Sequence, residues 1–93
     1  MKRTLHLISD STGETVANVA SAVLALYDAK EVEQKLHVFV RSAADVDGVI
    51  AEIKANPGLV FITMVDQERK QQIISAAADL GVEAIPVLHP AIE

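Results

Sequence analysis

The chain has 93 residues and is 51% apolar with only Tyr27, Phe39 and Phe61 aromatic, so it predicts one small domain around an aliphatic core. Thirteen acidic against eight basic residues give a net charge of −5, the wrong sign for binding a phosphate backbone, and a nucleic-acid partner is not expected. The absence of cysteine excludes a disulfide framework, a thiolate zinc site and a cysteine nucleophile.

Met1-Lys2-Arg3 runs straight into a short strand-like segment with polar residues inside it, which is neither a signal peptide nor a membrane span. The expectation is a soluble cytoplasmic domain with no membrane partner. Thr4–Ser9 reads as the first strand. Ser9-Asp10-Ser11-Thr12-Gly13-Glu14-Thr15 follows, seven small or polar residues. Ser11 stands three residues before Glu14, the spacing of a capping box. Val16, Val19, Ala20, Val23, Leu24 and Tyr27 then mark one face of the first helix.

A charged connection, Asp28 to Gln34, leads to a second strand at Lys35–Arg41. Leu36, Val38 and Val40 alternate there with Lys35, His37, Phe39 and Arg41, the pattern of an edge strand with one wet face. Ser42 with Asp45 is another cap, Val46, Val49, Ile50 and Ile53 form the second helical stripe, and Asn56-Pro57-Gly58 stops it. Leu59–Thr63 is apolar on both faces, as in an interior parallel strand. Asp66 opens a third helix with Ile73, Ile74, Ala77 and Leu80 inward and Gly81 at its end. Ala84–Leu88 is the last strand, and Pro86 confines it to an edge.

The alternation predicts one α/β domain over residues 1–93: three layers, three helices, and a four-stranded parallel sheet in the order 2-1-3-4, Rossmann- or flavodoxin-like. That order puts the first helix on one face and the other two opposite. Leu59, Phe61 and Ile85, or their alternates, are then left bare on strands three and four. The expectation is a homodimer through that face, or a chain that is the amino-terminal piece of a longer protein.

In open parallel sheets ligands sit beyond the carboxyl ends of the strands, where the strand order reverses. The walls of that crevice are Asp10, Ser11, Thr12, Gly13, Glu14 and Thr15 on one side and Thr63-Met64-Val65-Asp66 on the other. Arg41 ends strand two nearby. Backbone N–H groups around Thr12–Glu14, with the hydroxyls of Ser11, Thr12 and Thr15 and the cation of Arg41, suit a phosphate or another anion. Alternatively Ser11 and Glu14 merely cap the helix, and Asp10 and Glu14 repel an anion. Candidates for anion or target binding are therefore Asp10, Ser11, Thr12, Gly13, Glu14, Thr15, Arg41, Thr63 and Asp66.

Other chemistries fit less well. Thr12-Gly13-Glu14-Thr15 matches the end of a flavodoxin-type flavin loop, but a fifth strand and the ring-sandwiching aromatics are missing. A receiver domain needs an aspartate where Thr63 stands. His6 and His37 share a face of adjacent strands without a third ligand, so packed histidines are the simpler reading and no metal is expected. His89 ends strand four at the ligand edge. Asp66 and Glu68 with Arg69 and Lys70 read as a capped, solvated helix start. No Ser-His-Asp set, paired carboxylates or Gly-x-x-x-x-Gly-Lys-Ser/Thr loop is present, and no catalytic residue can be assigned.

Leu5–Thr15 closely resembles the start of the pyruvate, phosphate dikinase regulatory proteins and the related phosphoenolpyruvate synthase regulatory proteins. The likeness continues through Val38–Ser42, Gly58–Asp66 and Val87–Pro90. The resemblance implies a bifunctional enzyme that phosphorylates a threonine of its target with ADP. It also removes that phosphate with inorganic phosphate, releasing pyrophosphate. Family members are much longer, with their nucleotide motif beyond the region present here. ADP and phosphate are thus implied for the longer protein, with no cofactor in this chain. Pyruvate, phosphate dikinase or phosphoenolpyruvate synthase is the implied partner.

Overall fold

The computed structural model describes residues 3–26 and 31–87. In chain order these form β1 (Arg3–Ser9), α1 (Glu14–Leu24), β2 (Val32–His37), α2 (Ala43–Ala55), β3 (Gly58–Thr63), α3 (Gln67–Asp79) and β4 (Ala84–Pro86). Every pairing is parallel, and the strands lie in the order β2-β1-β3-β4. The predicted three-layer, Rossmann/flavodoxin-like α/β architecture is the one observed.

Alternation along β1 and β3 divides the core. Leu5, Leu7 and Phe61 point to one face and pack with Val16, Ala20 and Leu24 of α1. Ile8, Val60 and Ile62 point to the other and meet Val46, Val49 and Ile53 of α2 and Ile73 of α3. β1 and β3 approach so closely that a methyl group on Gly58 would collide with the Thr4 carbonyl oxygen.

Local chemistry fixes the helix ends. Ser42 Oγ accepts the Asp45 N–H at 3.1 Å while Asp45 Oδ2 accepts the Ser42 N–H at 3.0 Å, the predicted capping box at the start of α2. Asp66 caps α3 by accepting from Glu68 and Arg69 N–H at 3.0 and 3.2 Å. At the other end of α3, Gly81 N–H bonds Ala78 and Val82 N–H bonds Ala77, a Schellman closure.

Several boundaries differ from the sequence pattern. β2 begins at Val32 and ends at His37, not at Lys35 and Arg41. Phe39 takes φ 54, in the left-handed region, and the extended run cannot continue through it. The faces of this strand are also inverted in exposure. Lys35 and His37 are half-buried on the α2 side, whereas Leu36 remains 51% exposed. The polar side is drawn in by specific partners, with Lys35 Nζ 3.8 Å from Glu52 of α2 and 3.7 Å from Glu33. β2 is nonetheless an edge strand, and so is β4 with Pro86.

Leu80, expected inward, forms the C-cap of α3 and is 36% exposed. The partly uncovered face is narrower than expected: Leu59 and Ile85 are each 38% exposed, but Phe61 is buried beneath α1. Tyr27, Leu88 and His89 lie outside the described residues.

Candidate functional site

The expected crevice is built from the segments that follow β1, β2 and β3. Ser9 and Thr63 are register partners at the last pair of β1 and β3, and both are buried. Beyond Ser9 the chain folds back on itself: Ser9 Oγ accepts the Ser11 N–H at 3.1 Å and lies 3.3 Å from Ser11 Oγ. Asp10 then reaches across the reversal point, its Oδ2 accepting the Val65 N–H at 2.7 Å. One carboxylate thus ties the loop after β1 to the loop after β3.

The third wall is laced to the first. Phe39 N–H donates to Ser11 O and Val40 N–H to Ser9 O, both at 3.0 Å, and Arg41 Nε–H donates to Asp10 O at 2.8 Å. The Arg41 guanidinium also lies 5.0 Å from the centroid of the Phe39 ring. A bulky residue at positive φ is strained, and here the two ladder-like bonds on either side hold it there. Its ring stays 49% exposed at the rim.

Asp10, Ser11, Arg41 and Asp66 are brought together around an open depression of about 390 Å³, with Val40 and Arg69 completing the lining. Thr63 sits behind it, inside the sheet. Thr12, Gly13, Glu14 and Thr15 lie beside it at the start of α1. The expected Ser11–Glu14 capping box does not form. Gly13 is the N-cap, with φ 83 and no side-chain cap hydrogen bond, because Ser11 is turned back toward Ser9. Among the described residues the first-turn N–H groups of α1 therefore have no side-chain acceptor. The positive φ is what favours glycine at position 13; an added Cβ would also stand 3.0 Å from Leu36 Cδ1 and Val38 Cγ1.

Arg69, read from the sequence as part of a solvated helix start, instead lines the depression. It stands one turn into α3, and its Nη1 donates to Asp66 Oδ2 at 2.9 Å. The Arg69 N–H and guanidinium keep the Asp66 carboxyl below its usual range. Asp45 is held down likewise by the Arg41 and Ser42 N–H groups and the Ser42 hydroxyl. Both acids are thereby committed to backbone donors.

His6 and His37 do share a face, away from this cleft. His6 Nε2–H donates to Asn56 O at 2.7 Å, which leaves its Nδ1 to accept from His37 Nε2–H at 3.2 Å. Burial lowers the His37 pKa below 6.5, and the neighbouring His6 lowers it further. Among the described residues no three His, Cys, Asp or Glu side chains cluster as a metal site. Nor is any helix there long and apolar enough to cross a membrane.

Fold and site together define an open α/β domain whose polar side chains converge, with two arginines, on the strand-order reversal. The match to known proteins gives that class a family. Residues 5–93 match the kinase/pyrophosphorylase family model, and the chain belongs to that family. A relative from Novosphingobium aromaticivorans is 42% identical over 84 residues, covering 90% of this chain and 30% of its own length. Relatives from Sphingopyxis alaskensis and Rhizorhabdus wittichii are 39% and 38% identical, over 90% and 96% of this chain and 31% and 32% of their own lengths. All three carry the provisional name pyruvate, phosphate dikinase regulatory protein. The chain thus spans just under a third of these relatives.

Proposed function

We propose that this domain is the amino-terminal part of a bifunctional serine/threonine phosphotransferase acting on pyruvate, phosphate dikinase or phosphoenolpyruvate synthase. In one direction the longer protein transfers phosphate from ADP to a target threonine. In the other it moves that phosphate to inorganic phosphate and releases pyrophosphate. This domain contributes a phosphate-facing or target-facing wall, and the nucleotide is held by residues beyond the chain described here. The uncovered strip of Leu59 and Ile85 seats either the rest of that protein or a second copy.

One observation carries the reading: the Ser9–Thr15 string of a kinase/pyrophosphorylase family member sits at the strand-order reversal with Arg41 and an uncapped α1 beside it. That position suits oxyanion chemistry. The test is phosphotransfer, with mass spectrometry locating phosphothreonine on dikinase after incubation with ADP. The longer protein carrying this domain is expected to modify the target, and the 93-residue chain alone is not. Full activity from the 93 residues would overturn the partial-enzyme reading. A longer protein inert toward both targets would leave a non-catalytic module for small anions or partner proteins.

A further inference from the structure

Arg69 presents a problem that the family resemblance does not address. Its Nε is shut off from water and, among the described residues, has no acceptor. Buried donors are nearly always satisfied, and an exception calls for an absent partner. One Nη1 hydrogen is spent on Asp66, whose other carboxylate oxygen is taken by two backbone N–H groups. The side chain as a whole is still 34% exposed, and it lines the depression.

Arg41 lines the same depression with a complementary pattern. Its Nε is committed to Asp10 O and its plane lies over Phe39, which fixes the guanidinium. Among the described residues its Nη groups make no hydrogen bond. Two planar cations, each anchored by one edge, therefore border one open depression that Ser11 also lines. The local carboxylates offset part of that charge but are themselves engaged. Asp10 Oδ2 is turned to Val65 N–H, and both oxygens of Asp66 are occupied.

We infer that Arg41 and Arg69 form a two-arginine clamp for a phosphate monoester dianion. The inference rests on the phosphotransferase reading above and adds to it the group that the cleft holds. The unengaged guanidinium edges match the oxygens of a monoester in pairs. A small turn of the Arg69 side chain that opens its Nε–H to such an oxygen gives that group the missing acceptor. The same chemistry is offered by a phosphothreonine side chain, by the terminal phosphate of ADP and by free phosphate.

The test is a titration of the 93-residue chain with inorganic phosphate, a phosphothreonine peptide, its unphosphorylated twin and ADP. The readouts are the Arg Nε–Hε nuclear magnetic resonance signals and the dissociation constants. Binding by the phosphopeptide but not its twin, with a shift of the Arg69 Nε–Hε signal, is expected. A preference for the phosphopeptide, ADP or free phosphate assigns the source. R69Q and R41Q should each weaken binding at least tenfold, and R69K should fall between, because it keeps the charge but loses the fork. R3Q, at the opposite end of β1, should bind as the unaltered chain does.

A folded R69Q that binds undiminished overturns the clamp while leaving phosphotransfer by the longer protein untouched. So does an Arg69 signal that stays still while another site binds, or no binding of any phosphorylated probe. Should R69Q fail to fold, the Arg69 signal in the unaltered chain and the R69K affinity decide the matter alone.

Discussion

Replacing Gly13 by alanine tests how α1 begins, and the two ways of starting that helix predict opposite signs. In the structure Gly13 is the N-cap at φ 83, a conformation costing an L-residue about 1–2 kcal/mol. The new methyl would also press on Leu36 Cδ1 and Val38 Cγ1, each 3.0 Å away. Both are ends of exposed side chains, Leu36 in β2 and Val38 just after it, and can give way, so this adds little. The expected loss is about 1–2 kcal/mol, and each 1 kcal/mol lowers the melting temperature of a domain this size by about 4–8 °C. Had Ser11 capped the helix, Gly13 would occupy an ordinary helical position, and alanine would gain about 0.5–1 kcal/mol. Gly48→Ala is the internal standard. It lies on the exposed side of α2 with open space around an added Cβ, and should gain about that much. Urea unfolding followed by circular dichroism gives both values. A stabilised Gly13→Ala alongside a stabilised Gly48→Ala would refute the left-handed start.

Four further outcomes are expected. Gly58→Ala must part β1 from β3 at Thr4 and should destabilise by upwards of about 3 kcal/mol, or prevent folding, as read by the same unfolding curves. His37 has its folded-state pKa lowered by burial and by His6, so the unfolded chain binds the proton more readily; stability should hold above pH 6.5 and decline as pH falls below it. His37→Gln should flatten that part of the pH profile, and an unchanged slope would remove His37 as its source. Asp10→Ala frees the Val65 N–H, whose hydrogen exchange should quicken while amides of the α2 core stay protected. Light scattering should show self-association, or a hydrophobic dye should bind, through Leu59 and Ile85; a clean monomer that ignores the dye would remove the need for an occupant there.

Elements set by periodicity and burial were legible in the sequence. The apolar run Leu59–Thr63 and the stripes of α1, α2 and α3 fixed the parallel sheet, and the wet second segment with Pro86 fixed its edges. The caps that act within one turn, the Ser42–Asp45 box and Asp66, were also readable, since they need no distant partner. Ser11 misled because its partner is Ser9, just behind it, rather than the helix ahead. Strand two misled because alternation reports the two faces but not which neighbour claims each one. Glu52 and His6 draw in Lys35 and His37, and α1 leaves Leu36 exposed. At the site, strand order indicated that Asp10, Arg41 and Asp66 would converge. Arg69 was missed because its place depends on how α3 is set against the cleft, which no spacing within the helix reveals.

The role proposed for the turn after β1 and the cleft beside it is to face a phosphate. Titrating phosphate, pyrophosphate and ADP into the isotopically labelled chain, while following the backbone amide signals of Ser11 to Thr15, tests it most directly. Saturable shifts are expected in that stretch with at least one of the three, while Gly48 and Lys54 of α2 stay still. Signals of Ser11 to Thr15 that remain fixed through all three titrations would contradict it and leave the turn only its role in starting α1.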